Sequence, residues 1–398
     1  MSNLNPDFIY LDYCATTPVD PAVLQRMLPY FSEAYGNASS IYHKLGRKSA
    51  EAVDLAREQV ARLLHASPKE IIFTSGATEA INQAIKGILY HYQRIGKHII
   101  TCSTEHPAVL DTCSFLSKQG AEITILKTDS LGRIVLDDLR QSIRPDTILI
   151  CLMLANNETG VLHPIEEISA IAKKNNILFL CDATQAVGKI PINVVDQGID
   201  ILALSAHKIY GPKGVGALYI KRRNNPIQIG ALLQGGKQEN SLRAGTLNVP
   251  GIVGLGTAAE LAIQAQKEEF EKLKLLRDYL ETSLLTLPQT LLNGHRQHRL
   301  PHVANICFRY IKSAEIMTQL PQLALSAGAA CASGSREPSH VLLAMGLRKE
   351  DAESSLRFSL GRFTTKEQID HTIDLIRTTV NKLRAASPIW NMHEAGLL

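Results

Sequence analysis

No stretch of this 398-residue chain approaches the roughly 20 consecutive apolar positions that a membrane helix needs, which excludes a membrane-spanning helix. The start of the chain has no basic segment leading into a short apolar run, and Asp7 and Asp12 stand where a transit peptide avoids acids. The cysteines, at positions 14, 102, 113, 151, 181, 307 and 331, are odd in number and form no C-x-x-C pair. A disulfide-stapled scaffold is therefore not expected, and a reduced, cytoplasmic setting is. Charge of one sign is also lacking. The formal net charge of +4 is spread along the chain, and the densest basic cluster, Lys221-Arg222-Arg223, is short and suits a solvated loop. Neither a nucleic-acid surface nor an internal repeat or low-complexity tract is indicated.

What the chain does have is an ordinary soluble composition, 45% hydrophobic and 20% charged, at a length that favours two domains. Val53, Ala56, Val60 and Leu63 repeat at helical spacing, and Ile71-Ile72-Phe73 reads as a buried strand leading through a polar turn into a second helix from Glu79. Further apolar runs at His98–Thr101, Thr147–Leu154 and Ile177–Cys181 alternate with helix-length segments such as Ile165–Lys174. The expected fold is α/β: a mainly parallel, doubly wound sheet in a large domain, with ligands at the carboxyl ends of its strands. Residues from about Ile252 to Leu287 predict one long helix, stopped at Pro288, that carries the chain into a smaller α+β domain. That unit ends on a stripe of Ile369, Ile373, Ile376, Val380 and Leu383, entered through a capping box at Thr364 and Glu367. The expected division is residues 16–260 against 1–15 with 261–398.

Five segments carry chemistry. Phe73–Glu79 is a strand feeding a small-residue turn that opens a helix. Such a turn aims backbone N–H groups at an anion, with Ala77 leaving room and the Thr78 hydroxyl able to donate; a plain N-cap is the simpler alternative. Asp182 ends an apolar strand, where a carboxylate either meets a cationic partner, such as a protonated ring nitrogen, or caps a helix. Lys208, between another buried run and a glycine-rich turn, can lose its proton in a crevice and form a Schiff base with an aldehyde, flanked by Ser205 and His207 as phosphate donors. Cys331 stands among Ala, Gly and Ser in Ser326–Ser335, a composition suited either to a mobile loop presenting a thiol or to tight helix packing. The other cysteines sit in or beside apolar runs and suit burial. Arg357, in a strand-like run, needs an anion: a structural carboxylate or that of a substrate. His106, just past a strand end, can stack on a ring or shuttle protons, or be an ordinary loop histidine.

Taken in order, these segments resemble the cysteine desulfurases of the NifS/IscS-like group, in the aminotransferase class V family of fold-type I pyridoxal-phosphate enzymes. The resemblance runs from Tyr10–Pro18 to Arg357–Arg362, most specifically through Thr74–Glu79, Asn156-Asn157-Glu158-Thr159-Gly160, Asp182–Gln185, His207–Gly214 and the long segment around Cys331 that continues through Glu337–Leu342. It implies pyridoxal 5'-phosphate on Lys208, with Asp182 at the ring nitrogen and Gln185 at the ring oxygen. His106 would stack over the ring and move protons. Ala77, Thr78, Ser205 and His207 would hold the phosphate, with Thr246 reaching it from the other subunit of a homodimer. Asn157 would lie beside cofactor and substrate, and Arg357 would take the carboxylate of L-cysteine. Sulfur would pass to Cys331 as a persulfide, alanine would leave, and an acceptor protein, such as an iron–sulfur scaffold or a tRNA-thiolation protein, would collect the sulfur. A selenocysteine lyase or a cysteine C–S lyase on the same fold is the alternative. The chain departs from the pattern at Ala327, Ala329, Ala330 and Ala332, and at Asn240-Ser241, where relatives often have Arg-Gly.

Overall fold

The computed structural model describes residues 8–327 and 337–397. Its centre is a seven-stranded sheet built from β2 (Ile71–Thr74), β3 (His98–Cys102), β4 (Glu122–Leu126), β5 (Thr147–Met153), β6 (Leu178–Asp182), β7 (Ile201–Ser205) and β8 (Gly216–Ile220). The order across the sheet is β2-β8-β7-β6-β5-β3-β4. Only β8 runs against its neighbours, so β2, β3, β5, β6 and β7 all finish at the same edge. Strands β2, β3, β5, β6 and β7 are buried along their whole length, as continuous apolar runs covered on both faces require. One hydrophobic cluster covers each face of the sheet.

Helix α1 (Lys44–Leu64) turns Val53, Ala56, Val60 and Leu63 inward, as the spacing predicts, and ends on His65 in the left-handed conformation. Helices α2 (Ala77–Tyr92), α3 (Pro107–Ser117) and α4 (Ile165–Lys174) follow β2, β3 and β5. The long helix α5 spans Val249–Leu284, three residues earlier at each end than the apolar pattern suggested. Pro250 fits its first turn, where a missing N–H costs nothing, and Asn248 caps it by accepting from Gly251 N–H. Gly256 lets α5 approach α1: a Cβ there would come within 2.6 Å of the Ala56 backbone. The first half of α5 belongs to the core of the large sheet. Leu273, Leu280 and Leu284 belong to another cluster, around a three-stranded sheet of β9 (Thr290–Asn293), β10 (Val303–Phe308) and β12 (Ser355–Ser359). A two-residue strand β1 (Ile9–Tyr10) pairs with β11 (Leu323–Ala324) beside it.

Helix α6 (Lys366–Ala385) carries the expected stripe, but its capping box lies one residue beyond the predicted pair: Thr365 and Gln368 cap it. Thr364 is buried, and its hydroxyl accepts from Gly361 N–H at 3.0 Å, so it is occupied in the preceding turn.

Besides the direct bond from Arg57 Nη1 to the Ile71 carbonyl, one loop helps fasten α1 to the sheet. Glu239 is buried and accepts two hydrogen bonds from Arg57 and a third, at 2.7 Å, from Phe73 N–H. Glu239, Asn240 and Ser241 all have positive φ, at 48°, 55° and 65°. Left-handed backbone costs a non-glycine residue about 1–2 kcal/mol, and Ser241 is exposed, so its side chain recovers nothing by packing. Ser241→Gly is therefore expected to stabilise the fold by about 1 kcal/mol, read as a raised denaturation midpoint; a lowered midpoint contradicts the strain assignment.

Candidate active site

The shared strand edge gathers most of the residues singled out in the sequence. Lys208 leaves β7 in a single 3₁₀ turn, Ala206–Lys208. Its Nζ donates to the carbonyls of Cys14 and Ala15 at 2.6 and 2.7 Å. Burial lowers its pKa to about 8, and Arg357 pushes the same way, while Asp12 and Asp182 oppose. Gln185 Nε2 donates to the same Cys14 carbonyl at 3.0 Å. Asp182, the last residue of β6, is buried. Its Oδ1 accepts from Thr184 N–H and from the Thr184 hydroxyl, and Oδ2 has no hydrogen bond among the described residues.

His106 is the N-cap of α3, and its Nδ1 accepts from Ala108 N–H at 3.1 Å. Burial lowers its basicity, with Lys208 and His340 adding to the effect and Asp182 and Asp111 opposing it. His207 Nδ1 lies 3.1 Å from the Thr16 hydroxyl. Its pKa falls to about 4 through burial, then Lys208 and Lys213, which leaves the ring neutral.

At the other end of the edge, Thr74, Gly216 and Ser205 stand in register across β2, β8 and β7. Helix α2 begins at Gly76 with no side-chain cap. A Cβ on Gly76 would point at Ser205 Oγ, 3.6 Å away, and one on Gly216 would strike Gly76 Cα at 2.7 Å. Backbone packs on backbone here, and the Ser205 hydroxyl faces the open helix terminus beside Ala77 and Thr78. An uncapped N-terminus with a hydroxyl aimed at it suits a phosphate. With a weakly basic lysine and a buried carboxylate on the same edge, these residues fit pyridoxal phosphate.

Arg357, in β12, is 5% exposed. Its Nη2 contacts Asp12 Oδ1 at 2.6 Å, its Nη1 donates to the Asn157 carbonyl at 2.8 Å, and its Nε has no partner among the described residues. The structural ion pair and the free donor are both present. Cys331 lies outside the described residues. On one side of residues 328–336, the Ser326 carbonyl accepts from Arg357 N–H at 2.7 Å. On the other side, Ser339 Oγ donates to Glu158 Oε2 at 2.5 Å, and His340 Nε2 donates to the Glu105 carbonyl at 3.0 Å. Thr246 is exposed and makes no hydrogen bond with this group among the described residues. Cys14, Cys102, Cys113, Cys151, Cys181 and Cys307 are buried, as expected.

Some functional neighbours carried no periodic signal. Asn156, not Asn157, organises the turn after β5: its Oδ1 accepts from Glu158 N–H, Thr159 N–H and the Thr159 hydroxyl, and its Nδ2 donates to the Thr104 carbonyl. Glu105 is fully buried, with Oε1 accepting from Met153 N–H at 2.7 Å and Oε2 unpartnered among the described residues. Burial pushes its carboxyl well above the usual range, which favours the neutral form. A carboxyl three residues past a buried strand was a hint in the sequence.

The reactive form of a lysine is the neutral amine, so its pKa sets the pH at which it captures a carbonyl. Reaction of Lys208 with a small aldehyde, followed by imine absorbance, is expected to rise with pH around a midpoint of about 8 rather than the ordinary 10.5. A midpoint above about 10 would contradict a desolvated amine.

Known proteins match this architecture. Residues 9–372 match the aminotransferase class-V family. The cysteine desulfurase IscS of Anaeromyxobacter sp. (strain Fw109-5) is 50% identical over 390 residues, covering 98% of this chain and 96% of that protein. A solved NifS-like protein superposes with a TM-score of 0.87 at 36% identity, covering 94% of this chain and 99% of its own. SspA, solved in complex with cysteine, superposes at 0.78 with 38% identity over 90% of this chain and all of its own. With the strand edge, the lysine and the buried carboxylate already in view, these matches agree on one assignment: the chain belongs to the aminotransferase class-V family, in its IscS- and NifS-like group of cysteine desulfurases.

Proposed function

We propose that the protein removes sulfur from L-cysteine with pyridoxal phosphate as cofactor, leaving alanine and a persulfide on Cys331. The observation that carries this reading is the meeting of Lys208 and Asp182, at one edge of the large sheet, with Arg357 of the small sheet, and the segments flanking residues 328–336 fastened beside them. Ala77, Thr78, Ser205 and His207 would hold the cofactor's phosphate, joined by Thr246 of the partner subunit in a homodimer. Asp182 would face the ring nitrogen, Gln185 the ring oxygen, His106 the ring face, and Lys208 the aldehyde carbon. Bound there, the cofactor supplies an electron sink that weakens the bonds around the substrate's Cα.

The remaining work falls to the chain's own side chains. Arg357, with Asn157 beside it, orients the substrate carboxylate, starting from the Nε that has no partner among the described residues. Lys208, with its lowered proton affinity, removes and returns protons at the substrate carbon. The Cys331 thiolate attacks the substrate sulfur: the C–S bond breaks, an S–S bond forms, and the carbon side takes up a proton to leave as alanine. Residues 16–260 form the cofactor-binding unit in this reading, and residues 1–15 with 261–398 the smaller one. The sulfur then passes to an acceptor protein, such as an iron–sulfur scaffold or a tRNA-thiolation protein, in the cytoplasm. Among the described residues no helix is long and apolar enough to cross a membrane.

With L-cysteine and a thiol reductant, the purified protein is expected to form alanine and sulfide in equal amounts. Cys331→Ala should abolish sulfide release while keeping the cofactor and its spectral response to cysteine; undiminished sulfide would rule out the persulfide route. Pyruvate and ammonia instead of alanine would identify a C–S lyase, and activity confined to selenocysteine a selenocysteine lyase. Replacing the planar fork by a point charge in Arg357→Lys should raise KM for cysteine by about tenfold or more, with a smaller change in kcat. An unchanged KM would remove Arg357 from carboxylate binding.

A further inference from the structure

The turn that opens α2 holds an acid as well as a place for an anion. Glu79 stands in the first turn of the helix, and its side chain is only 10% exposed. Its Oε2 accepts from Ser75 N–H at 2.9 Å, just before the helix begins. The helix dipole favours a carboxylate there, because it stabilises negative charge at an N-terminus. The same positive end is where the proposed phosphate would sit, beside Ala77, Thr78 and Ser205. An unpaired Glu79 carboxylate would therefore repel that phosphate, and at this depth solvent screens the repulsion poorly.

Arg243 removes the conflict. It follows the left-handed turn at Glu239–Ser241 and reaches back to α2, where its Nε donates to Glu79 Oε1 at 3.0 Å and its Nη2 to Oε2 at 3.5 Å. Burial pushes the Glu79 carboxyl up, but the bonds from Arg243 and Ser75 outweigh it and hold the group below its ordinary value. The backbone around Arg243 is fixed to match. Gln83, one turn farther along α2, donates through Nε2 to the Leu242 carbonyl at 2.7 Å, and Gln238 Oε1 accepts from Gly245 N–H at 3.1 Å. The preceding strand is treated in the same way, since Glu239 accepts from Phe73 N–H while paired with Arg57. Both acids that grip this strand and turn thus carry their own arginine.

We propose that Arg243 is a positioning residue for the cofactor's phosphate: by neutralising Glu79, it lets that acid hold the turn without opposing the anion at the end of α2. It acts through Glu79 and not by touching the phosphate. The inference deepens the reading of the site given above and rests on it for the ligand's identity.

The test is a cycle of Arg243→Gln, Glu79→Gln and the two combined. Each cofactor-free, full-length chain is titrated with pyridoxal phosphate and with pyridoxal, which lacks the phosphate, and imine absorbance is followed. Arg243→Gln leaves Glu79 uncompensated and should weaken pyridoxal phosphate binding by about tenfold or more. Adding Glu79→Gln should restore the affinity to within about twofold of the parent, because the opposing charge is gone. Glu79→Gln alone keeps an acceptor for Ser75 N–H and should bind at least as tightly as the parent. Pyridoxal should bind every variant within about twofold of the parent. An undiminished affinity in Arg243→Gln overturns the proposal, as does a loss that Glu79→Gln fails to repair, which is the mark of direct contact. An equal loss for pyridoxal overturns it too, by exposing a merely structural role, and so does weakened pyridoxal phosphate binding in Glu79→Gln alone. Inorganic phosphate, followed by ³¹P NMR on the cofactor-free chains, should rank them in the same order. That order without any binding of pyridoxal phosphate would sustain this inference and refute the cofactor reading. Pyridoxal phosphate binding that is indifferent to the variants would do the reverse, and a parent chain that binds neither compound would overturn both.

Discussion

The buried guanidinium of Arg357 is the group on which the arrangement depends. A cation at this depth is costly unless it is paired and hydrogen-bonded. Its partners come from distant parts of the chain: Asp12 after β1, the Asn157 carbonyl in the turn after β5, and the Ser326 carbonyl, which takes its backbone N–H. One residue of the small sheet thereby ties the start of the chain, the edge of the large sheet and one flank of residues 328–336 together. Removing one member of such a buried pair typically costs about 3–5 kcal/mol, which is ample to keep these segments in register.

That anchor also shapes the electrostatics around Lys208. The Asp12 turn continues into Cys14 and Ala15, whose carbonyls receive Nζ. Two neutral acceptors orient the amine without a full counter-charge, and burial then lowers its proton affinity. The histidines on the edge follow the same logic. Both His106 and His207 lose basicity mainly through burial, with Lys208 adding to it. The result is an edge whose histidines are pushed toward their neutral forms, with positive charge on Arg357 beside it and a partial positive charge at the open helix terminus.

The strands were legible because continuous apolar runs have few other uses, and α1 and α6 because their apolar residues recur on one face. Helix termini were less so. The box at Thr365 and Gln368 was displaced by one residue because Thr364 bonds within its own turn, a choice made by the tertiary surroundings. Lys208, Asp182, Arg357 and His106 stood out because charged or titratable side chains beside buried runs need an explanation. Asn156 and Glu105 did not stand out. Their work lies in bonds to backbone groups far along the chain, which no periodicity encodes.

By itself the sequence determined the alternation of strands and helices, and with it that strand ends would gather ligand-binding residues on one edge. It also determined which chemical groups were available, since residue type sets which group can form an imine, carry sulfur or grip a carboxylate. Only the tertiary structure decided how those groups are poised. Desolvation, a helix terminus and a carbonyl 194 residues away along the chain are properties of a place and not of a residue. They weaken Lys208 as a base, leave one buried nitrogen of Arg357 without a partner among the described residues, and set His106 as the cap of α3.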